Sequence, residues 1–348
     1  MYIFNKNKRI VKKLCTIVKL GVIIKSTSKH YLILMNLFLE DLIMTTTTNF
    51  RTSTWNNIGT TMKETNVSDV LKTAGLDYTV TTTPVFTEFN GQKIQYPNKV
   101  MTVRDDGHPY GIVSERYVPM QNKDAFDFIN YIDDDITFVK AGETDTGLVY
   151  MIGELHEMDI LGDKFKTYAI FQNSHNGRYQ LAMSICPLRI VCQNQFNLSF
   201  KESNSTFLIR HTKSMDRKIA LASETLNSIS HYMKVFNDKA QLFASQKISE
   251  TNITKFLNFM FPTDETMSQK IIEKVEEEKI KFLKAYNAED NMNFKGSAWG
   301  LLNGLTDYIT HQEYKRKVDN ADEKRFMETI LVANNLNSSM DYIQSLVG

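Results

Sequence analysis

The 348 residues carry 41 Lys and Arg against 40 Asp and Glu, a net charge of +1. This excludes nucleic-acid binding by bulk positive charge and leaves any polyanion contact to a local patch. A hydrophobic share of 42% with 23% charged residues excludes a wholly disordered chain and calls for a packed core in one large or two ordinary domains. The three cysteines, Cys15, Cys186 and Cys192, form no Cys-x-x-Cys pair. A zinc ribbon and a thioredoxin-type site are therefore excluded, and a reducing, cytoplasmic setting is expected.

In chain order, the first 43 residues stand apart. Eight Lys or Arg against two acids give them +6, so the rest of the chain is at +1 − 6 = −5. Their apolar runs, 14–24 and 31–39, are shorter than the roughly 18 residues a membrane span needs, and Lys19 splits the first. A basic start before an apolar run suits a secretion signal, but the small-residue cleavage site is missing. Residues 1–49 are read as a disordered leader or an over-extended start, in preference to a membrane-surface anchor. Met44 followed by four threonines looks like a natural N-terminus.

Residues 50–75 read as a helical lead-in, begun by a capping residue at Ser68 and stopped by Gly75. Residues 79–89 and 92–103, rich in Thr, Val and aromatics around Asn90-Gly91, predict a β-hairpin. A third strand follows at 110–118, then a short helix over 124–132 with Ala125, Phe126 and Ile129 at helical spacing. Four more strands are expected at 137–141, 147–155, 165–173 and 178–186; in the last, Leu181, Met183 and Ile185 alternate. From Met215 the period changes. Met215, Ile219, Ala222, Leu226, Ile229, Met233, Phe236, Ala240 and Phe243 form a heptad seam on one long helix. Further helices are expected to about Tyr286 from a cap at 263–265, over 296–314, and as a pair over 321–346. The chain thus reads as α+β: an antiparallel β-rich domain with short helices over 50–212, then a long-helix region over 213–348 packing back on it.

Four constellations could carry chemistry. The loop Asn173-Ser174-His175-Asn176-Gly177 reads first as a tight turn, with His175 as a candidate general base. In 189–197, Arg189 precedes the amides Gln193, Asn194, Gln195 and Asn197, which can cap a helix or read a base edge. Arg210, His211, Lys213, Arg217 and Lys218 surround the start of the long helix, whose free N–H groups suit a phosphate; a solvated charge run with Asp216 as partner is the plainer account. On the helix over 296–314, Trp299, Asn303, Thr306 and Thr310 share one face, with Asp307 and His311 beside it. That face is either a binding surface or a polar seam. No Walker loop, dinucleotide fingerprint, HExxH or Gly-x-Ser-x-Gly occurs, so no cofactor and no metal are expected.

Several strings in this order resemble the phage- and plasmid-like family built on domain of unknown function 932. They are Gly75-Leu76-Asp77-Tyr78, Tyr110-Gly111-Ile112-Val113, Tyr117 to Asn122 with Ala125-Phe126, and the Asn173–Gly177 loop. Arg189 to Asn194 with Asn197, Arg210-His211-Thr212, and Ala298-Trp299 with Asn303, Thr306 and His311 complete the set. The resemblance spans about 50–320. Asn176 stands where the family more often has Asp, and Gln195 where Thr is expected. The element order is also similar to the core of Rad-type single-strand annealing proteins.

The expected function is a non-enzymatic, mobile-element protein that binds single-stranded DNA in annealing or recombination. Arg189, Arg210, His211, Lys213 and Arg217 would meet phosphates, Asn194 and Asn303 would supply amides, and Tyr179 or Trp299 would stack on bases. One alternative is an enzyme acting on nucleic acid or a nucleotide, with His175 and His211 as acid–base pair or metal ligands. Another is an interaction or anti-defence factor whose seam joins copies, making a homo-oligomer. No membrane partner is expected.

Overall fold

Asn90 and Gly91 both take positive φ, 51° and 75°, the geometry a two-residue hairpin turn requires. They close β2 (Val80–Phe89) onto β3 (Gln92–Arg104), and β4 (Pro109–Ser114) completes a small antiparallel sheet in the order β2-β3-β4. The register slips between Pro84 and Phe86, opposite the stretch of β3 that holds Pro97 and Asn98, the latter at φ 56°. Because β4 pairs only with Lys99 to Val103 of β3, the hairpin beyond is a bare two-stranded arm. The computed structural model describes residues 57–132, 136–191, 193–196, 198–199, 201–209, 215–311, 320–326, 328 and 334–346.

The main sheet is antiparallel throughout. Its path runs β1 (Thr60–Glu64), β5 (Thr137–Glu143), β6 (Leu148–Ile160), β7 (Asp163–Ser174), β8 (Ala182–Arg189) and β10 (Thr206–Leu208), and β9 (Asn194–Gln195) also pairs with β8. Alternation sorts the strands into two faces. One carries Val149, Met151, Phe171, Met183 and Ile185, all buried in the larger core; the other carries Tyr150, Ile152, Ile170, Cys186 and Leu188 in a smaller one. Cross-strand partners such as Met151, Phe171 and Met183 lie in one row, which fixes the register by burial.

The helices are α1 (Val67–Thr73), α2 (Asn122–Phe126), α3 (Met215–Ser245), α4 (Glu250–Met260), α5 (Gln269–Tyr286), α6 (Ala298–Thr310), α7 (Ala321–Phe326) and α8 (Asn334–Leu346), with 3-10 turns at Asp127–Tyr131 and Glu289–Phe294. The α+β class is as the sequence indicated. Residues 50–348 form one unit, and sheet and helices share the larger core.

The heptad seam of α3 is used inside the chain. Ala222, Ile229, Met233, Phe236, Ala240 and Phe243 are buried among sheet and helix residues. These six seam residues pack within the chain, as the expectation of a helical region packing back on the β-rich domain has it. Ile219, by contrast, is exposed.

Several elements differ from expectation. Residues 60–64 form a strand rather than part of a helical lead-in, because half-buried Thr60, Met62 and Glu64 alternate with exposed neighbours along the edge of β5. The cap of α1 is Asn66, whose side chain accepts from the Ser68 N–H, not Ser68. Helix α4 was not expected at all, although Ser249 caps it by accepting from Asn252 N–H.

Candidate functional site

Loop 173–177 leaves the end of β7 beside the β5–β6 turn. Asn176 Oδ1 accepts from Arg178 N–H at 2.8 Å and from Ser174 Oγ at 2.6 Å, its Nδ2 donates to Thr146 O, and Gly177 takes φ 71°. The asparagine is therefore the loop's brace, as the tight-turn reading has it. His175 points inward and is fully buried.

A set of amides holds that imidazole. Asn122, at the start of α2, donates from Nδ2 to Leu76 O at 3.0 Å, which turns its Oδ1 toward the loop. There Oδ1 accepts from Asn173 Nδ2 and lies against His175 Nε2, each at 3.0 Å. An amide oxygen accepts only, so Nε2 carries the proton and Nδ1 presents a bare lone pair. Nδ1 has no hydrogen-bond partner. Burial brings the His175 pKa down to about 4, so the ring is neutral at pH 7.

Two phenols and a carboxylate complete this centre. Tyr78 precedes β2 and Tyr110 lies on β4; their rings sit 5.8 and 5.3 Å from that of His175. Both hydroxyls and Glu143 Oε1 are buried, and the three groups interact with one another. Burial, more than any neighbour, raises both phenol pKa values, and Glu143 adds to the effect, so both stay protonated. At the rim, Arg104 reaches Asp106 at 2.5 Å and Glu143 at 3.4 Å, with its guanidinium 5.0 Å from the Tyr78 ring centre. Gln121 exchanges two 2.9 Å hydrogen bonds with the Val80 backbone, and Tyr117 donates to Ser174 O. The segment 117–122 thus ties the root of the arm to the main sheet.

A second polar cluster lies at the other end of β7 and β8. Arg189 pairs in register with Phe165, nine residues from Ser174, which puts it about 30 Å from the His175 loop at ~3.3 Å per residue. The guanidinium is buried, bonded to Asp163 at 2.8 Å and Asp290 at 3.0 Å, and it also donates to Asp290 O. It is neutralised and enclosed, which corrects its assignment as a phosphate contact. Asn194 is buried in β9, accepts at Oδ1 from His311 Nε2 at 3.1 Å, and donates to Asn303 O. Among the described residues the next helix begins only at Met215.

The polar face of α6 is likewise a seam, here between helix and strand. Thr310 Oγ1 accepts from Gln195 N–H. Trp299 is buried, stacked 5.6 Å from Phe196 among Phe165 and Phe236. Trp299 and Asn303 are corrected as contacts to bases, since the core already covers both; Asn194 is corrected for the same reason. Among the described cations near the head of α3, Lys218 is paired with Asp127, while Arg217 is exposed. Arg210, His211 and Lys213 lie outside the described residues, so the pairing of His175 with His211 does too. Ile209, just before them, donates its N–H to Leu181 O at 3.0 Å, at the end of β8 that neighbours the His175 loop.

The sequence strings therefore gather into two centres rather than one. Tyr78, Tyr110, Asn122 and Glu143 had been given no role. The first three sit in or beside quoted strings, whereas nothing in the sequence marks Glu143. Among the described residues no group of three or more His, Cys, Asp or Glu could hold a metal, and no helix is long and apolar enough to cross a membrane.

A family model described as Domain of unknown function (DUF932) matches residues 109–330, well over half of the chain. No curated protein and no solved structure matches.

Proposed function

The chain belongs to the family defined by domain of unknown function 932, and from that premise we propose that it binds single-stranded nucleic acid. In this reading it is a DNA-binding protein of a phage or plasmid, acting in annealing or recombination. One observation carries the reading: the arm formed by β2 and β3.

Every residue from Phe86 to Lys99 is exposed. Phe89, Tyr96 and Phe86 stand 66%, 55% and 45% accessible, and Lys93 Nζ lies 4.2 Å from the Phe86 ring centre. Phe89 and Ile94 lie on the opposite face from Phe86 and Lys93, as the register requires. From Phe86 to Lys99 the arm holds Lys93 and Lys99 against Glu88 alone, a positive exception in a region that is −5 without the leader. Exposed rings beside cations, with few acids, are the elements of a sequence-tolerant strand-binding surface. A free two-stranded ribbon is marginal in water, so a partner that covers its rings stabilises it. The stacking role moves from Trp299 to Phe89 and Tyr96, and Arg217 adds an exposed cation at the head of α3.

The test is fluorescence anisotropy with a labelled single-stranded oligonucleotide across a salt series. Lys93, Lys99 and Arg217 on phosphates give a log–log slope of about −2. A Phe89→Ala, Tyr96→Ala double variant weakens binding about 10- to 100-fold, at roughly 1–3 kcal/mol per stacked base. Absence of binding at low salt, or a double variant that binds as wild type does, removes the proposal.

A further inference from the structure

We propose that the arm sits at the junction of a duplex and a single strand, one face capping the last base pair and the other holding the strand that leaves it. The proposal rests on the reading of the arm as a strand-binding element, and it names the form of nucleic acid that the arm takes.

The two faces of the arm differ in charge. Pairing of Phe86 with Gln95, Glu88 with Lys93 and Phe89 with Gln92 sorts residues 86–96 by alternation. Phe86, Glu88, Lys93 and Gln95 share one face. Thr87, Phe89, Gln92, Ile94 and Tyr96 share the other, which carries no charge. All nine are exposed. A ribbon that meets its ligand on one face keeps the other polar; here both faces carry large apolar side chains.

Each face selects its ligand. A single strand presents bases and phosphates together, so its site needs rings beside cations. The first face has that combination, with Lys93 Nζ 4.2 Å from the Phe86 ring centre. The second has two rings and an aliphatic side chain but no cation to meet a phosphate. From the Phe89–Gln92 pair to Tyr96 its apolar stripe runs about 13 Å, at ~3.3 Å per residue. The nucleic-acid surface that is flat, apolar and free of phosphate is the outer face of the last base pair in a stack, whose backbones lie to its sides. Phe and Ile are among the side chains that proteins set against base steps. On a strand without a duplex, Phe89 and Tyr96 stack on single bases instead.

Shape and position agree. The arm is two strands wide, with ~4.8 Å between them, thin enough to stand between a base pair and a departing strand. Because β4 pairs no further out than Lys99, both faces stay open to solvent. The Asn90-Gly91 turn puts Phe89 at the tip, where a duplex end is met first.

Anisotropy on the full chain decides it, with three labelled probes: a single strand, a blunt duplex, and that duplex carrying the single strand as an overhang. The overhang probe binds at least about fivefold tighter than either of the others, a factor within the reach of one extra stacking contact. Ile94→Thr removes that preference and leaves single-strand affinity unchanged, since Ile94 has no ring to stack. Lys93→Gln weakens the single strand and the overhang probe alike and lowers the salt slope of the single strand by about 0.7. Both side chains are exposed, so Tm stays at the wild-type value in each variant. 2-Aminopurine in the last base pair changes its fluorescence on binding wild type, and deeper in the duplex it does not. Equal affinity for the single strand and the overhang probe, or a silent last pair, overturns the junction and leaves the strand-binding reading standing. If overhang preference is absent and wild type self-associates in sedimentation while Ile94→Thr does not, the second face joins copies and the proposal is overturned. If no probe binds at low salt, both readings fall together.

Discussion

His175 carries a linkage between pH and stability whose sign follows from its burial. Its folded pKa is about 4, below the ordinary value of 6.5. As pH falls from 6.5 toward 4 the unfolded chain takes up a proton that the folded imidazole refuses, so stability drops across that window. Below 4 both states are protonated and the loss levels off; above 6.5 neither is, and the residue contributes no slope. At 1.36 kcal/mol per pKa unit the loss is about 3 kcal/mol. Thermal unfolding from pH 7 to pH 4 should therefore show a steeper fall in Tm for wild type than for His175→Gln; parallel curves would show the ring to be solvated. Arg189 makes the complementary case. Its removal as Arg189→Met leaves two carboxylates facing each other without their shared cation, at a cost of about 2–4 kcal/mol in urea unfolding. The same variant should bind oligonucleotides with an unaltered salt slope, because the guanidinium is spent on Asp163 and Asp290.

At the scale of elements, what the sequence made legible follows from how local each signal is. The Asn90-Gly91 turn, the alternation of Met183 and Ile185, and the seam from Ala222 to Phe243 depend on neighbours in the chain, and each appears in the structure. Strand β1 was hidden because it draws its order from β5, more than seventy residues later. The charged and amide residues misled for a similar reason. Arg189 reads as a free cation until Asp163 and Asp290, far apart in sequence, are brought against it. His175 could be singled out, but Glu143 could not, since nothing in one strand announces that it faces a loop from another. The contact of α5 with α6 is a further long-range feature, and it carries a test. A Cβ on Gly304 would stand 2.8 Å from Tyr286 Cα, a backbone atom that cannot swing aside. Gly304→Ala should force the helices apart and cost about 1–3 kcal/mol despite the better helix propensity of alanine. A variant as stable as wild type in urea would mean that the helices slide freely.

For the molecule as a whole, the main sheet acts as a spacer between its two polar ends. Strands β7 and β8 run from the His175 loop to Arg189, and the outer edge of β8 carries β10 at the first end and β9 at the second. The first end adjoins the arm and holds unpartnered acceptors. The second is closed by α6, with Asn194, Thr310 and His311 bonded across the seam. Both ends hold buried polar atoms without a hydrogen-bond partner, Asn303 Nδ2 and Oδ1 at the second among them, so the two differ in what lies over them: an exposed arm at one, a helix at the other. The division is measurable. Sites about 30 Å apart along a strand and sharing no partner should contribute additively, to within about 0.5 kcal/mol. The unfolding free energy of the Tyr110→Phe, Arg189→Met double variant should equal that expected from the two single variants, with the larger loss in Arg189→Met. A coupling beyond that margin would mean that the sheet transmits strain between its ends, and the two clusters would then have to be treated as one site.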